Sequence, residues 1–84
     1  MKLNNKQKQF LFDNYYVDAK VLDALTYKGW QNYFIKNFTW KLDTDLNHWN
    51  MRTLQLVDKK QSDYVPYSVD LNFQGDDFNK LKNL

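Results

Sequence analysis

The segment "DTDLNHWN", residues 43–50, gathers the only histidine, His48, with two Asp and two Asn residues, the side-chain types that move protons or hold cations. Continued to Leu54 it opens like a calcium loop, with Asp43, Asp45 and Asn47 at positions one, three and five. Position six requires Gly for its sharp turn and holds His48, and position twelve requires a bidentate Glu and holds Leu54. Asp43 and Asp45 therefore read as turn residues. Ser62 and Ser68 complete a formal Ser-His-Asp set, yet neither stands on a nucleophile elbow. One histidine and no cysteine leave no zinc set of the usual kind. The glycines, at 29 and 75, cannot compose GxxxxGK[ST] or GxGxxG. The expectation is a protein that is not an enzyme and uses no cofactor or metal.

Binding chemistry is better represented. The stretch "GWQNYFIKNFTWKL", residues 29–42, interleaves large aromatic and aliphatic side chains with Lys36 and Lys41. If its even positions face a core, Tyr33, Ile35 and Lys41 face away. Trp49, Met51 and Tyr64 join them, with Val57, Thr39 and Thr53 on the same expected face. Trp, Tyr and Met beside a basic residue have the composition of interface hot spots. The expected partner-binding set is Tyr33, Ile35, Lys41, Trp49, Met51 and Tyr64. The same rings could stack single-stranded bases while Lys36, Lys41 and Arg52 track phosphates.

The elements that must position these residues follow from periodicity. Residues 5–28 lack Gly and Pro and repeat Leu11, Tyr15, Leu22 and Leu25 at helical spacing, widened by Phe10, Val17, Val21 and Ala24. Asn4 or Asn5 can cap the start, and Lys28-Gly29-Trp30 reads as the stop. One long helix is expected; the alternative is a break near Asp13-Asn14. From Gln31 the period changes to two. Phe34, Phe38, Trp40 and Leu42 share one parity, as do Val65, Tyr67, Val69, Leu71 and Phe73 in a later strand, with Leu54 and Leu56 between them. Asn50 and Arg52 would lie on that core face unless a bulge exchanges them. Pro66 suggests an edge strand. "QGDDFNKLKNL" closes the chain as a short helix, with Asp76 and Lys80 at i,i+4 and Phe78, Leu81 and Leu84 inward. The expected fold is α+β, a long N-terminal helix packed on a three-stranded antiparallel meander with a short C-terminal helix (α-β-β-β-α). The apolar second sheet face is either covered by the C-terminal helix or left open for contact.

Eighty-four residues fit one small globular domain. Without cysteine it must be held by burial, for which an aromatic content of 18% is well suited. Glutamate is absent, so Ser/Thr-x-x-Glu capping boxes and Glu–Lys helix pairs cannot form. Residues 1–42 carry seven Lys and three Asp, net +4, and residues 43–84 carry five cations and seven Asp, net −2. A nucleic-acid module usually carries a denser basic patch. No run of about 18 apolar residues spans a membrane, and the polar start "MKLNNKQKQF" lacks a signal sequence's apolar stretch. A cytoplasmic protein, of the producing cell or its host, is expected. Eleven Lys to one Arg and abundant Asn, Phe and Tyr suit an AT-rich genome, such as a low-GC bacterium or its phage.

"LNNKQKQFLFDNYY", residues 3–16, is similar to the opening of many phage terminase small subunits, whose Leu-x-x-Lys-Gln-x-x-Phe-x-x-x-Tyr run leads into a DNA-binding helix-turn-helix. Leu3, Lys6, Gln7 and Phe10 match, and Tyr15 lies one residue off. The Ala-rich second helix and "AGYS"-like turn of that family are absent. The resemblance implies nucleic-acid contacts through Lys2, Lys6, Lys8 and Lys28. The leading expectation is instead a non-enzymatic protein-binding module, a phage or mobile-element accessory protein that inhibits or modulates a larger host protein, anti-defence or anti-CRISPR by class analogy. The alternatives are a small DNA- or RNA-binding protein, through the helix-turn-helix or the aromatic sheet face, and a homodimer burying that face.

Overall fold

The computed structural model describes residues 1–24 and 36–84. Among the described residues, helices α1 (Asn5–Tyr15) and α2 (Val17–Ala24) and strands β1 (Phe38–Leu42), β2 (Arg52–Asp58) and β3 (Tyr67–Leu71) are followed by a last helix, α3 (Asp77–Lys82). The strands form an antiparallel meander in the order β1-β2-β3. This is the α+β layout the periodicity predicts. The expected extended stretch from Gln31 is shorter: Lys36 and Asn37 are helical, and the residues before them, Phe34 included, lie outside the described residues.

The long helix expected over 5–28 is broken into two, as in the alternative, two residues beyond Asp13-Asn14. Tyr16 takes the left-handed region (φ 54°, ψ 40°) and caps α1, while its carbonyl accepts from Lys20 N and so starts α2. A left-handed residue shifts the phase of the apolar stripe. Leu11 and Val17 are buried and Val21 packs on the core, whereas Leu22, expected on the stripe, is exposed. Tyr16 carries the strain of this conformation, of order 1–2 kcal/mol for an L-residue. Leu25 lies outside the described residues.

The parity of the strands holds. Register pairs Trp40 with Leu56 and Leu56 with Tyr67, and Leu42 with Leu54 and Leu54 with Val69, so these share one face. Leu42, Leu54 and Leu71 form a single core with Leu3, Leu11, Val17 and Leu81. Leu81 therefore places α3 on the same face as α1, and α3 does not cover the second face. Leu84, expected inward, is exposed. Arg52 lies on the core face without a bulge, opposite Leu71. Within the strands the second face is Thr39, Lys41, Thr53, Gln55, Val57, Ser68 and Asp70, polar except for Val57, which is buried. The apolar second face expected from the sequence is corrected accordingly, because Trp49, Met51 and Tyr64 all lie outside the strands.

Two long-range ties close the helical layer. Met1 runs beside β1, its ammonium donating to the Leu42 carbonyl (2.7 Å) and its carbonyl accepting from Leu42 N (2.9 Å), so the β1 edge is paired there. Asn4 caps α1 in a capping box with Gln7, since Gln can replace the missing Glu. Gln7 is buried, and its Nε2 donates to the Leu81 carbonyl at 3.1 Å. Pro66 immediately precedes β3, an edge strand, where its missing N–H leaves no gap in the ladder.

Candidate functional site

The chain between β1 and β2 is a built structure. After Leu42 one more ladder bond, Asp43 N to the Thr53 carbonyl (2.9 Å), holds the strands together. A small hairpin then forms at 47–51: Asn47 N donates to the Met51 carbonyl (2.7 Å), Asn50 N donates to the Asn47 carbonyl (3.0 Å), and Asn50 is left-handed at φ 58°. This is the pattern of a three-residue loop closed by an αL residue, a conformation Asn tolerates better than most.

Asn47 locks the loop from inside. Its Oδ1 accepts from Trp49 N (2.8 Å) and Met51 N (3.1 Å), and its Nδ2 donates to Asp70 Oδ1 (2.8 Å) and Thr53 Oγ1 (3.1 Å). Thr53 Oγ1 donates in turn to Asp70 Oδ1 (3.0 Å), which ties the loop to β3. Asn47 thus satisfies both ends of its amide within the protein. Asp43 Oδ1 likewise accepts from Asp45 N (3.1 Å).

Two large apolar side chains stand out among the loop's exposed polar ones. Trp49 is 69% exposed and Leu46 53% exposed, and His48 is also exposed, its ring meeting the Trp49 ring edge-on at 5.2 Å. Among the exposed large apolar side chains of the described residues, Trp49 has the highest fractional exposure, with Tyr16 close behind at 67%. The sequence reading names Trp49 as a contact residue but sets it on a strand, and it names neither Leu46 nor His48 among the contacts. The readable signal was the pair Asn47 and Asn50 three residues apart, which is turn chemistry rather than strand alternation.

The other expected contact residues do not join this surface. Tyr33, Ile35 and Lys28 lie outside the described residues. Met51 is half-buried just before β2, and Tyr64 is exposed in the β2–β3 connection with its ring 6.0 Å from Phe38. Lys41 is exposed and faces Lys2 across an isolated bridge. Lys6 is exposed and Lys8 half-buried on α1, which meets α2 across a single left-handed residue, shorter than the usual helix-turn-helix connection. Arg52 is committed internally: Nε donates to the Thr44 carbonyl (3.1 Å), and the guanidinium carbon lies 3.6 Å from the centre of the Phe78 ring. Lys36 lines an opening of about 330 Å³ with Asn37, Asp58, Lys59, Lys60 and Gln61, at the far end of the sheet from Trp49.

The described ionisable group most visibly set by its surroundings is structural. The Tyr15 hydroxyl donates to Asp77 Oδ2 (2.7 Å) and accepts from Gln74 N (2.9 Å), joining α1 to the start of α3. Burial and the hydrogen bond to the Asp77 carboxylate raise its pKa above the ordinary tyrosine value. Its ring packs on Phe73 at 5.1 Å, and Phe73 on Phe78 at 5.5 Å.

Compared with protein-family models, with curated proteins and with solved structures, the chain matches none.

Proposed function

We propose that this chain acts by binding, docking on a larger protein through the β1–β2 turn with Trp49 as the anchor and Leu46 and His48 beside it. The observation that carries the reading is an indole 69% exposed on a loop fastened by four side-chain hydrogen bonds of Asn47. A large ring held ready in solvent loses little conformational freedom on contact, and Trp is the residue most enriched among interface hot spots. Inhibition or modulation of a host protein, as for a phage or mobile-element accessory protein, is the form of docking we propose.

The nucleic-acid alternative draws less support. Phe38, Trp40 and Tyr67 lie on the core face of the sheet, the second face has no aromatic within the strands, and Arg52 is held on Phe78. The test is a comparison of proteins captured from lysate by the wild-type chain and by Trp49→Ala, both treated with nuclease. Docking predicts a captured protein that the variant loses. Identical captures by the two would refute it. A parallel titration with DNA at about 50 and 200 mM salt would show binding that collapses at higher salt if phosphate contacts dominate.

A further inference from the structure

We infer that the surface met by the turn is cationic, an arginine-bearing segment of the partner protein whose guanidinium lies on the Trp49 indole. The inference rests on the docking reading and adds the chemistry of the partner.

Charge around the ring supports it. Residues 43–51 contain Asp43 and Asp45 and no Lys or Arg. Both carboxylates are exposed, and a third, Asp70, is brought to the turn by Asn47, whose side chain touches Asp70 with one end and Trp49 N with the other. The nearest cation in sequence, Arg52, is turned to the helical side of the sheet, with Nε on the Thr44 carbonyl and its guanidinium over Phe78. It therefore does not occupy the space in front of Trp49. Lys41 and Lys2 lie one pair further along the second face, beyond Asp43. Among the described residues, the turn thus combines an exposed aromatic ring with three exposed carboxylates, Asp43, Asp45 and Asp70, a charge pattern that complements a cation and disfavours an acidic partner.

Arginine fits this combination better than lysine. Its planar guanidinium stacks on indole and at the same time offers forked donors to a carboxylate, whereas an ammonium does one or the other. The chain makes the stacked half of this contact internally, between Arg52 and Phe78.

The test uses the full chain with nitrogen-15 in its tryptophans, the Trp49 indole resonance being assigned with Trp49→Phe. Three capped peptides are titrated at about 50 mM salt: Arg-Leu-Arg, Ser-Leu-Ser and Glu-Leu-Glu. Arg-Leu-Arg is expected to move the Trp49 resonance saturably and to bind about fivefold tighter than Ser-Leu-Ser, the scale of an exposed cation–π contact with carboxylate support. Asp45→Asn, whose side chain holds no part of the turn, should lower that preference about threefold, as should salt near 200 mM. Equal or tighter binding of Ser-Leu-Ser or Glu-Leu-Glu at Trp49 would overturn the cationic partner and leave docking through the turn standing. Failure of every peptide to move Trp49 would also overturn it, and the lysate comparison would then decide docking by itself.

Discussion

Asn47 Oδ1 accepts the backbone N–H of Trp49 at 2.8 Å, so the residue that fastens the turn to β3 also fixes the residue that the turn displays. The shape of the turn therefore depends on one half-buried amide. Asn47→Ala removes four hydrogen bonds at once. The expected loss of stability is about 2–3 kcal/mol, since each bond contributes of order 1 kcal/mol and those near the surface recover water. Urea unfolding measures it, and the Trp49 indole resonance should broaden or shift in the same variant.

Asn50 gives a backbone test of the same loop. At φ 58° it lies where Gly and Asn are tolerated and other residues are strained. Asn50→Gly should stay within about 0.5 kcal/mol of the wild type, and Asn50→Ala should cost about 1 kcal/mol. Equal stability of the two variants would mean that the residue is not left-handed in solution.

Gln7 joins the two ends of the chain through the core. Its Oε1 accepts from Asn4 N (2.9 Å) and its Nε2 donates to the Leu81 carbonyl. Gln7→Ala should destabilise by about 1–3 kcal/mol, because it opens the capping box and removes the buried side-chain donor to the Leu81 carbonyl, which keeps only the Leu84 N–H at 3.2 Å. Gln7→Glu keeps the acceptor for Asn4 and replaces the donor to Leu81 by a carboxylate oxygen. At neutral pH it should be at least as damaging as Gln7→Ala, and it should recover stability as acid protonates the carboxylate.

Much of this frame was legible in the sequence, and what was not has a common cause. Strand parity is a local period of two, so Phe38, Leu42, Leu54, Leu56 and Leu71 could be assigned to the core without knowing what covers them. The break at Tyr16 carries no glycine or proline to mark it, and a tyrosine in the left-handed region runs against its own preference. The side of the sheet chosen by α3 depends on Leu81 meeting Leu11, Leu54 and Leu71, contacts distant in sequence. Trp49 was misplaced because Trp has strand propensity, and Asn47 outweighs it through local bonds to Trp49 N, Met51 N and Thr53 Oγ1 and one to Asp70, which only β3 brings alongside.

Tyr15 predicts a pH dependence. Its pKa in the folded chain is raised above 10.0 by burial first and by Asp77 second, so the folded state favours the neutral phenol. The stabilisation is fully present below the unfolded value and is lost as pH rises through the folded one. Tyr15→Phe should cost about 1–2 kcal/mol at pH 7 through its two lost hydrogen bonds. The gap between variant and wild type should narrow above pH 10, as read by unfolding at pH 7, 9 and 10.5.

The most direct measurement of the central claim is Trp49→Ala assayed twice, for unfolding free energy and for affinity toward the captured partner. An exposed anchor predicts a stability change within about 0.5 kcal/mol and a binding loss above about 1 kcal/mol. A variant that unfolds readily, or one that binds as tightly as the wild type, would contradict the claim that the β1–β2 turn exists to present Trp49.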